Sequence, residues 1–507
     1  MTTFRNPVLA GFYPDPSVCR VGRDFYLVTS SFEYFPGVPV FHSRDLMHWL
    51  QIGHCLDRER QLPLKRAGAS QGVFAPTIRH HDGLFYMTTT NVSGGGNFIV
   101  TAKQPAGPWS DPVMVKQEGI DPSLLFDEDG SVYYTTSRDG ALQSRIDVKS
   151  GALLTDPKVV WPGTGGQYPE APHLYRRGDW YYLMLAEGGT EYGHMETIAR
   201  SRSPWGPFEP CPRNPILTHR SIRSPIQALG HADLVEAESG EWFAVFLGVR
   251  PVGYPPRYHL GRETFLSPVT WAEDGFPVIG RQGRIELEME SALEPAPVPA
   301  TAVRDDFDSL TLGPHWNFLR NPDPACYSLA ERPSHLRLRG SPHGLGDTAS
   351  PAWLGRRQCH FSLRAAACLE FSPETENEEA GLVVRMNESH HDEIFVTRRG
   401  GRDCVVLRRR IGSLHAEVAC APLSAETAPR IVLAIDADRE SYRFLYGAAE
   451  GSLECLGQGE TRYLSTEVAG GFTGVYLAMY ATGNGSPCTR PADFDWFDYR
   501  ERDEPSR

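Results

Sequence analysis

The sequence lacks several features that would point to other classes of protein. No run of apolar residues is long enough to span a bilayer, and the N-terminus has no basic start followed by an apolar stretch, as a secretory signal would. The ten cysteines are scattered from Cys19 to Cys488 without closely spaced pairs, which disfavours both a zinc site and a disulfide framework. We therefore expect reduced thiols and a cytoplasmic protein.

The sequence also has fewer positively than negatively charged residues. Fifty Lys and Arg residues stand against 63 Asp and Glu residues, so the net charge at pH 7 is −13. Nucleic acids and anionic membranes require a basic surface, so neither is expected as a partner. The run Arg408–Arg410 is a local exception that follows an apolar segment, and we interpret it as a solvated strand end. His390 and His391 lack metal-ligand spacing and are expected in an exposed loop.

Common catalytic and nucleotide-binding motifs are missing as well. The sequence has no Gly-x-Ser-x-Gly nucleophile motif. Gly94–Gly96 is not followed by Lys-Ser or Lys-Thr, so it is interpreted as a turn and not as a phosphate-binding loop. Asp127–Gly130 is similar to the start of a calcium loop but lacks the later ligands, which favours a hairpin turn.

What the sequence does contain is a repeat in its first half, in which a short turn motif precedes an aromatic, strand-like segment. A unit of roughly 45 to 60 residues used about five times, with several short strands each, is typical of a β-propeller. The sequence therefore predicts an all-β fold that begins with a five-bladed propeller. The five motifs and their aromatic segments are Tyr13–Ser17 with Asp24–Val28, Phe74–Thr77 with Gly83–Met87, Gly119–Ser123 with Ser131–Tyr134, Tyr168–His173 with Asp179–Leu183, and Gly230–Asp233 with Glu241–Val245.

The character of the sequence changes near residues 295–303. Pro and Ala alternate there without hydrophobic periodicity, as in an extended linker. Further along, segments such as His335–Arg339 and Gly381–Arg385 show apolar residues with a period near two, between turn signals. We therefore predict a propeller over residues 1–294, a linker over 295–303 and a β-sandwich over 304–507.

Three acidic residues, Asp15, Asp121 and Glu170, occupy matching positions in the repeat. The first residues of the innermost strands of a propeller point at its axis, so the repeat is expected to bring these carboxylates together. Carboxylates in one pocket repel each other, so one proton is held more tightly than usual while other groups stay ionised. Such a split supplies an acid and a base at one pH. The alternative is that the motifs are only turns, since Asp and Pro favour turns for backbone reasons.

A longer series of segments, in matching order, resembles glycoside hydrolase family 43, and in particular its two-domain β-xylosidase and α-L-arabinofuranosidase branch. The segments that carry this resemblance are Phe4–Val8, Tyr13–Ser17, Ser31–Pro39, His42–Leu46, Ala186–Thr190, Asn214–Thr218, Gly230–Ala232, Gly261–Thr264, Asp305–Asp308, His315–Asn317 and Asp493–Phe497. They span nearly the whole chain.

The resemblance implies an inverting, exo-acting hydrolase that releases terminal β-D-xylosyl or α-L-arabinofuranosyl groups from hemicellulose-derived oligosaccharides. By position in the motifs, Asp15 would be the general base, Glu170 the general acid, and Asp121 the carboxylate that orients Glu170 and raises its pKa. An inverting glycosidase requires such a pair of carboxyl groups on opposite sides of the sugar. Two alternatives stay open: a carbohydrate-binding propeller without catalysis, and a retaining fructoside hydrolase.

Further residues are expected around the sugar. The resemblance places Phe32 and Arg262 in the terminal-sugar subsite, where Arg262 could hydrogen-bond ring hydroxyls. Phe74 could supply a second apolar face, although relatives often carry Trp there, and packing between blades is the alternative role for either aromatic residue. His231 should face the channel. Relatives often place a histidine there near a divalent cation, frequently calcium, so either a Ca²⁺ site or a satisfied core histidine is expected. No cofactor should be required.

The role of the second domain follows only from the resemblance. It implies that the sandwich sends a loop over the pocket and confines the enzyme to chain ends, unless the sandwich only buries one face of the propeller. The sequence does not distinguish a preference for xylose from one for arabinose, and it leaves open whether the chain forms a homo-oligomer.

Overall fold

The computed structural model describes residues 1–425 and 427–503, which are built almost wholly of β-strands. Within these residues, five antiparallel sheets of four or five strands follow one another along the chain. Each sheet begins with its innermost strand, which pairs with the aromatic segment predicted from the repeat. The five-bladed propeller is therefore confirmed. The innermost strands are Ser17–Val21, Thr77–His81, Ile120–Phe126, Glu170–Arg177 and Gln227–Glu236.

The other strands continue each blade outward. Blade 1 adds Asp24–Val28, Gly37–Ser43 and Leu50–Leu56; blade 2 adds Leu84–Asn91, Gly96–Ala102 and Val113–Val115; blade 3 adds Val132–Ser137, Ala141–Asp147, Ala152–Leu153 and Lys158–Trp161; blade 4 adds Trp180–Glu187, Met195–Ser201, Glu209–Pro210 and Leu217–Thr218; blade 5 adds Trp242–Val249, Glu263–Trp271 and Pro277–Ile279. Thr2–Arg5 pairs with Glu288–Ser291 and so joins the two ends of the propeller.

The strongly apolar character of the second strands follows from the packing of blades against each other. In Trp180–Glu187 of blade 4, Leu183 and Leu185 enter an apolar cluster shared with blade 3. Tyr182 and Met184, on the opposite face, enter a cluster shared with blade 5. Successive side chains of a strand point to opposite faces, so a strand packed between two blades needs apolar residues at both odd and even positions.

The second half of the chain forms a β-sandwich, as predicted. Apolar side chains from its two sheets, such as Leu382 and Leu433, belong to one core cluster. One sheet contains Arg304–Asp305, Tyr327–Ser328, Leu336–Leu338, Leu363–Glu370, Arg430–Ala437, Ser441–Gly447, Glu454–Glu460 and Ala492–Glu501; the other contains Ala352–Arg357, Glu379–Asn387, His390–Arg399, Arg402–Ile411, Leu414–Pro422 and Tyr476–Thr482.

Helices are few and short in the described residues. They are the 3₁₀ helices Pro324–Cys326 and Thr461–Leu464 and the α-helix Thr466–Ala469. None of the helices in this part of the chain is long and apolar enough to cross a membrane.

The propeller and the sandwich are joined by packing and hydrogen bonds. The predicted linker, residues 295–303, lies between Glu288–Ser291 and Arg304–Asp305, and the backbone N–H of Ala296 donates to Asp45 of blade 1 at 2.6 Å. The short strand Phe318–Leu319 of the sandwich pairs with Tyr34–Phe35 of blade 1. A single apolar cluster therefore runs from the first two blades into the sandwich core.

Two interpretations of the sandwich sequence are wrong. Arg408 lies within a strand, and its guanidinium pairs with Glu379 at 2.6 Å and with Glu393 at 2.7 Å, so the arginine run is not a solvated strand end. His391 is 2% exposed and lies 3.2 Å from Glu393, and His390 begins the same strand, so this histidine pair is not in an exposed loop. The partners of Arg408 lie on two other strands of the same sheet, which a local sequence pattern does not reveal.

Candidate active site

The innermost strands of blades 3, 4 and 5 share an irregular start. The register of each strand shifts near its first residues, and Asp121 and Ala171 adopt left-handed backbone conformations with φ of +53° and +54°. Asp15, just before the innermost strand of blade 1, has φ of +56°, and His231 of blade 5 has φ of +54°. Such bulges re-aim side chains, and non-glycine residues in this region cluster at functional sites. The repeated turn motifs therefore direct side chains toward the propeller axis.

All of the site residues predicted from the sequence line one small cavity of about 50 Å³. The two phenylalanines, the histidine and the arginine line the cavity together with the three carboxylates. Further lining comes from residues that the sequence analysis did not single out. The full lining is Asp15, Phe32, Phe74, Ala75, Ile120, Asp121, Glu170, Thr190, His231, Arg262 and Phe472. The structure thus brings the predicted residues together, while their individual roles stay predictions.

Asp15 lies in a setting that favours its ionised form. Arg262 donates to both of its carboxylate oxygens, at 2.8 and 3.2 Å, and the Ser30 hydroxyl donates at 2.5 Å. Nδ1 of His231 lies 3.6 Å away. Burial acts to raise the pKa of Asp15, but the Arg262 charge, His231 and the Ser30 hydrogen bond outweigh burial and hold this pKa below its ordinary value. Asp15 is therefore a carboxylate at neutral pH.

Glu170 and Asp121 lie in the opposite kind of setting. Burial and the negative charge of Asp15 raise the pKa of Glu170 to about 7, although Arg262 acts to lower it. Burial and repulsion from Glu170 and Asp15 raise the pKa of Asp121 well above its ordinary value, and the N–H of Ala171 donates to it at 3.3 Å. Glu170 and Asp121 together therefore retain a proton near neutral pH.

His231 is buried, and burial lowers its pKa to about 4 although Asp15 acts in the opposite direction, so its imidazole is neutral. Beyond it, Arg79 donates to both oxygens of Asp233, at 2.8 and 3.1 Å, and lies 3.0 Å from Nδ1 of His173. Among residues 1–425 and 427–503, no group of three or more His, Cys, Asp or Glu side chains could hold a metal ion. Arg79 supplies the positive charge that balances Asp233 in this part of the channel.

Of the four lining residues that the sequence analysis did not single out, Thr190 and Phe472 lie outside the repeated motifs. Thr190 accepts a hydrogen bond from Arg262 at 3.1 Å, and it lies in one of the segments that carry the family resemblance. Phe472 comes from the sandwich, and its ring centroid lies 6.1 Å from that of Phe32 and 6.2 Å from that of Phe74. No repeat or motif marks Phe472, so only its position in the folded structure identifies it.

A larger chamber of about 530 Å³ adjoins the small cavity. Glu170, Thr190 and Phe472 line both spaces, so Glu170 stands at the boundary between them. Both domains contribute to the chamber, as expected for a sandwich loop that covers the pocket. Its lining is Tyr168, Glu170, Gly189, Thr190, Glu191, Tyr192, Ala228, Tyr258, Thr466, Glu467, Gly471 and Phe472.

Comparison with known protein families agrees with this geometry. The family described as Glycosyl hydrolases family 43 matches residues 4–277, and the Beta xylosidase C-terminal Concanavalin A-like domain matches residues 304–500. The chain belongs to glycosyl hydrolase family 43. It is therefore a glycosidase, and the family resemblance inferred from its motifs is confirmed.

Similar proteins match the family 43 chain over almost its entire length. It is 48% identical to a non-reducing end alpha-L-arabinofuranosidase of Bacteroides ovatus, with 98% of this chain and 95% of that protein covered. It is 40% identical to a xylosidase/arabinosidase of Butyrivibrio fibrisolvens, with 99% and 100% covered. The solved structure of a xylan beta-1,4-xylosidase from Bacillus halodurans superposes with a TM-score of 0.92 at 35% identity, covering 98% of this chain and 100% of that one.

We expect Asp121→Asn to move the alkaline limb of the pH profile of glycoside hydrolysis to lower pH. A general acid must be protonated to act, and without the repulsion of a second carboxylate Glu170 loses its proton at lower pH. The measurement is kcat/KM across both limbs of the profile. Asp82→Asn, at a side chain that is 86% exposed, is the matched control and should leave the profile unchanged. An unmoved alkaline limb in Asp121→Asn would contradict the assigned role.

Proposed function

We propose that the protein is an inverting, exo-acting hydrolase that releases terminal β-D-xylosyl or α-L-arabinofuranosyl groups from hemicellulose-derived oligosaccharides. The observation that carries the proposal is the division of protons among three carboxyl groups around one small cavity. Asp15 is held ionised by Arg262, while Asp121 and Glu170 hold a proton near neutral pH. A binding protein without catalysis has no need of such a division.

The ionised state of Asp15 and the protonated state of Glu170 match the two tasks of an inverting mechanism. Asp15, as a carboxylate, takes a proton from a water molecule, and the water oxygen forms the new bond to the anomeric carbon. Glu170 gives its proton to the glycosidic oxygen as the bond between that oxygen and the anomeric carbon breaks. Asp121 and Glu170 share the retained proton, since a negative charge on one disfavours a second on the other, and Asp121 thereby keeps a proton available to Glu170.

The shape of the site supports attack at chain ends. The small cavity contains the carboxyl groups and apolar faces from Phe32, Phe74 and Phe472, which are the polar and apolar groups that a terminal sugar would contact. The larger chamber on the other side of Glu170 would take the leaving group, whose oxygen needs the proton. The relatives named as arabinofuranosidase and as xylosidase support a pentose as the terminal sugar.

The proposed roles predict different losses of activity in two variants. Asp15→Asn should lower kcat by roughly 10²- to 10⁴-fold for every pentoside, since no other group activates the water. Glu170→Gln should cause a loss of that size only for substrates with a poor leaving group and should spare a nitrophenyl pentoside with an activated one. Release of xylose and arabinose from both kinds of substrate is the measurement, with circular dichroism to check folding. Equal losses of Glu170→Gln on both substrates would reject it as the general acid.

The stereochemical course separates this proposal from a retaining fructoside hydrolase. Proton NMR of the first product formed should show a sugar whose anomeric configuration is opposite to that of the substrate, because water attacks the anomeric carbon directly. A product that retains the configuration of the substrate would exclude the scheme in which Asp15 is a base.

We also propose that catalysis needs no metal ion. The guanidinium of Arg79 balances Asp233 in the channel, and His231 lies beside Asp15 as a neutral imidazole. Dialysis against EDTA should therefore leave kcat/KM for a pentoside unchanged, and added CaCl₂ should not increase it. A loss of activity that calcium restores would overturn this proposal and would leave the roles of the carboxyl groups untouched.

A further inference from the structure

Phe472 enters the sugar pocket from a sandwich segment with little apolar anchoring of its own. It follows Gly470 and Gly471, which have φ of +73° and +86°, and its side chain belongs to none of the apolar core clusters in the described residues. The residue is 40% exposed although its ring approaches Phe32 and Arg262. Apolar burial alone therefore does not fix the position of this ring.

The backbone of Phe472 is instead held by the propeller on both sides. Its N–H donates to the hydroxyl of Ser70 at 2.7 Å, and its carbonyl oxygen accepts from Nε of Arg262 at 3.3 Å. The contact with Ser70 is so close that a Cβ on Gly471 would lie 2.4 Å from the Ser70 oxygen. A glycine at position 471 is thus a requirement of this contact.

Ser70 is fixed in turn by a buried acid. Its N–H donates to Oε2 of Glu33 at 3.0 Å, and Ser70 adopts a left-handed conformation with φ of +61°. Glu33 is fully buried directly after Phe32, and its carbonyl oxygen accepts from the N–H of Arg320 in the sandwich at 2.8 Å. A continuous set of hydrogen bonds therefore leads from the interior of the domain boundary to Phe472.

We propose that Ser70, fixed by Glu33, is a positioning residue that sets the place of the Phe472 ring over the terminal sugar. This inference rests on the proposed function, because it concerns how the same pocket binds its sugar. Ser70 does not line the pocket, so its effect on the substrate passes through Phe472. An apolar ring placed against the sugar would contact it equally before and during the reaction, so displacing the ring should weaken binding without slowing the chemical step.

The first test is a kinetic double-mutant cycle. Ser70→Ala removes the hydroxyl but keeps the backbone N–H that donates to Glu33, and it should raise KM for a pentoside roughly five-fold with kcat little changed. Phe472→Ala should raise KM at least as much. In the double variant, Ser70→Ala should add nothing to Phe472→Ala, because its effect requires the ring. Additive increases of KM in the double variant would overturn the proposal.

Two further variants separate positioning from a general loss of stability. Ser110→Ala removes another serine hydroxyl that accepts from a backbone N–H, that of Thr101 at 3.0 Å, and it should leave KM unchanged. Gly471→Ala leaves Ser70 intact but forces the two segments apart, so it should raise KM as Ser70→Ala does. Unchanged KM in Gly471→Ala would contradict the proposal, and melting temperatures of all variants identify any that fail to fold.

The second test does not depend on catalysis. Hydrogen exchange followed by mass spectrometry should be faster in the peptide containing residues 466–472 of Ser70→Ala than in the wild type, because the Phe472 N–H loses its acceptor. Ser110→Ala should leave this peptide unchanged. If the wild type released no pentose, the proposed function would be wrong, but the exchange experiment would still test the contact between Ser70 and Phe472. Equal exchange in wild type and Ser70→Ala would reject Ser70 as the group that holds the segment.

Discussion

The pairing of Arg262 with Asp15 is the interaction on which the active site depends. Asp15 is buried, and burial alone acts to raise its pKa. The planar guanidinium donates to both carboxylate oxygens and keeps the charge in place, which a lysine could not do with the same geometry. That charge then acts on the other two acids, since Asp15 contributes to the raised pKa of both Glu170 and Asp121. This ion pair therefore favours Asp15 as the carboxylate and, together with burial, favours protons on Glu170 and Asp121.

The repeat made the propeller and its acids predictable, because each blade encodes its strands and its turn within one short segment. The turn motifs before Asp15, Asp121 and Glu170 recur at the same point of each unit, and equivalent points of a propeller meet at its axis. The interactions that tune these acids were not predictable in the same way. Arg262 is 247 positions from Asp15 in the chain, and nothing in the local sequence of either residue specifies the contact.

The wrong interpretation of the arginine run has a related cause. A local run such as Arg408–Arg410 suggests exposure to solvent, but Glu379 and Glu393, on two other strands of the sheet, neutralise Arg408. Near His231, the charge of Asp233 is likewise balanced by Arg79 of a different blade, and no local sequence pattern reveals that pairing. Hydrophobic periodicity reports the local face of a strand, whereas the cost of a buried charge is met by whichever partner the fold brings near.

The two domains act as one structure at the pocket. A strand of the sandwich pairs with blade 1 next to Phe32, and Phe472 contributes a wall that the propeller alone would lack. Closing the small cavity in this way matters for its electrostatics, because charges interact more strongly when water is excluded. Arg262 connects both effects, since the same guanidinium holds Asp15 and donates to the carbonyl oxygen of Phe472. The wall of the cavity and its buried charge therefore share one contact, the side chain of Arg262.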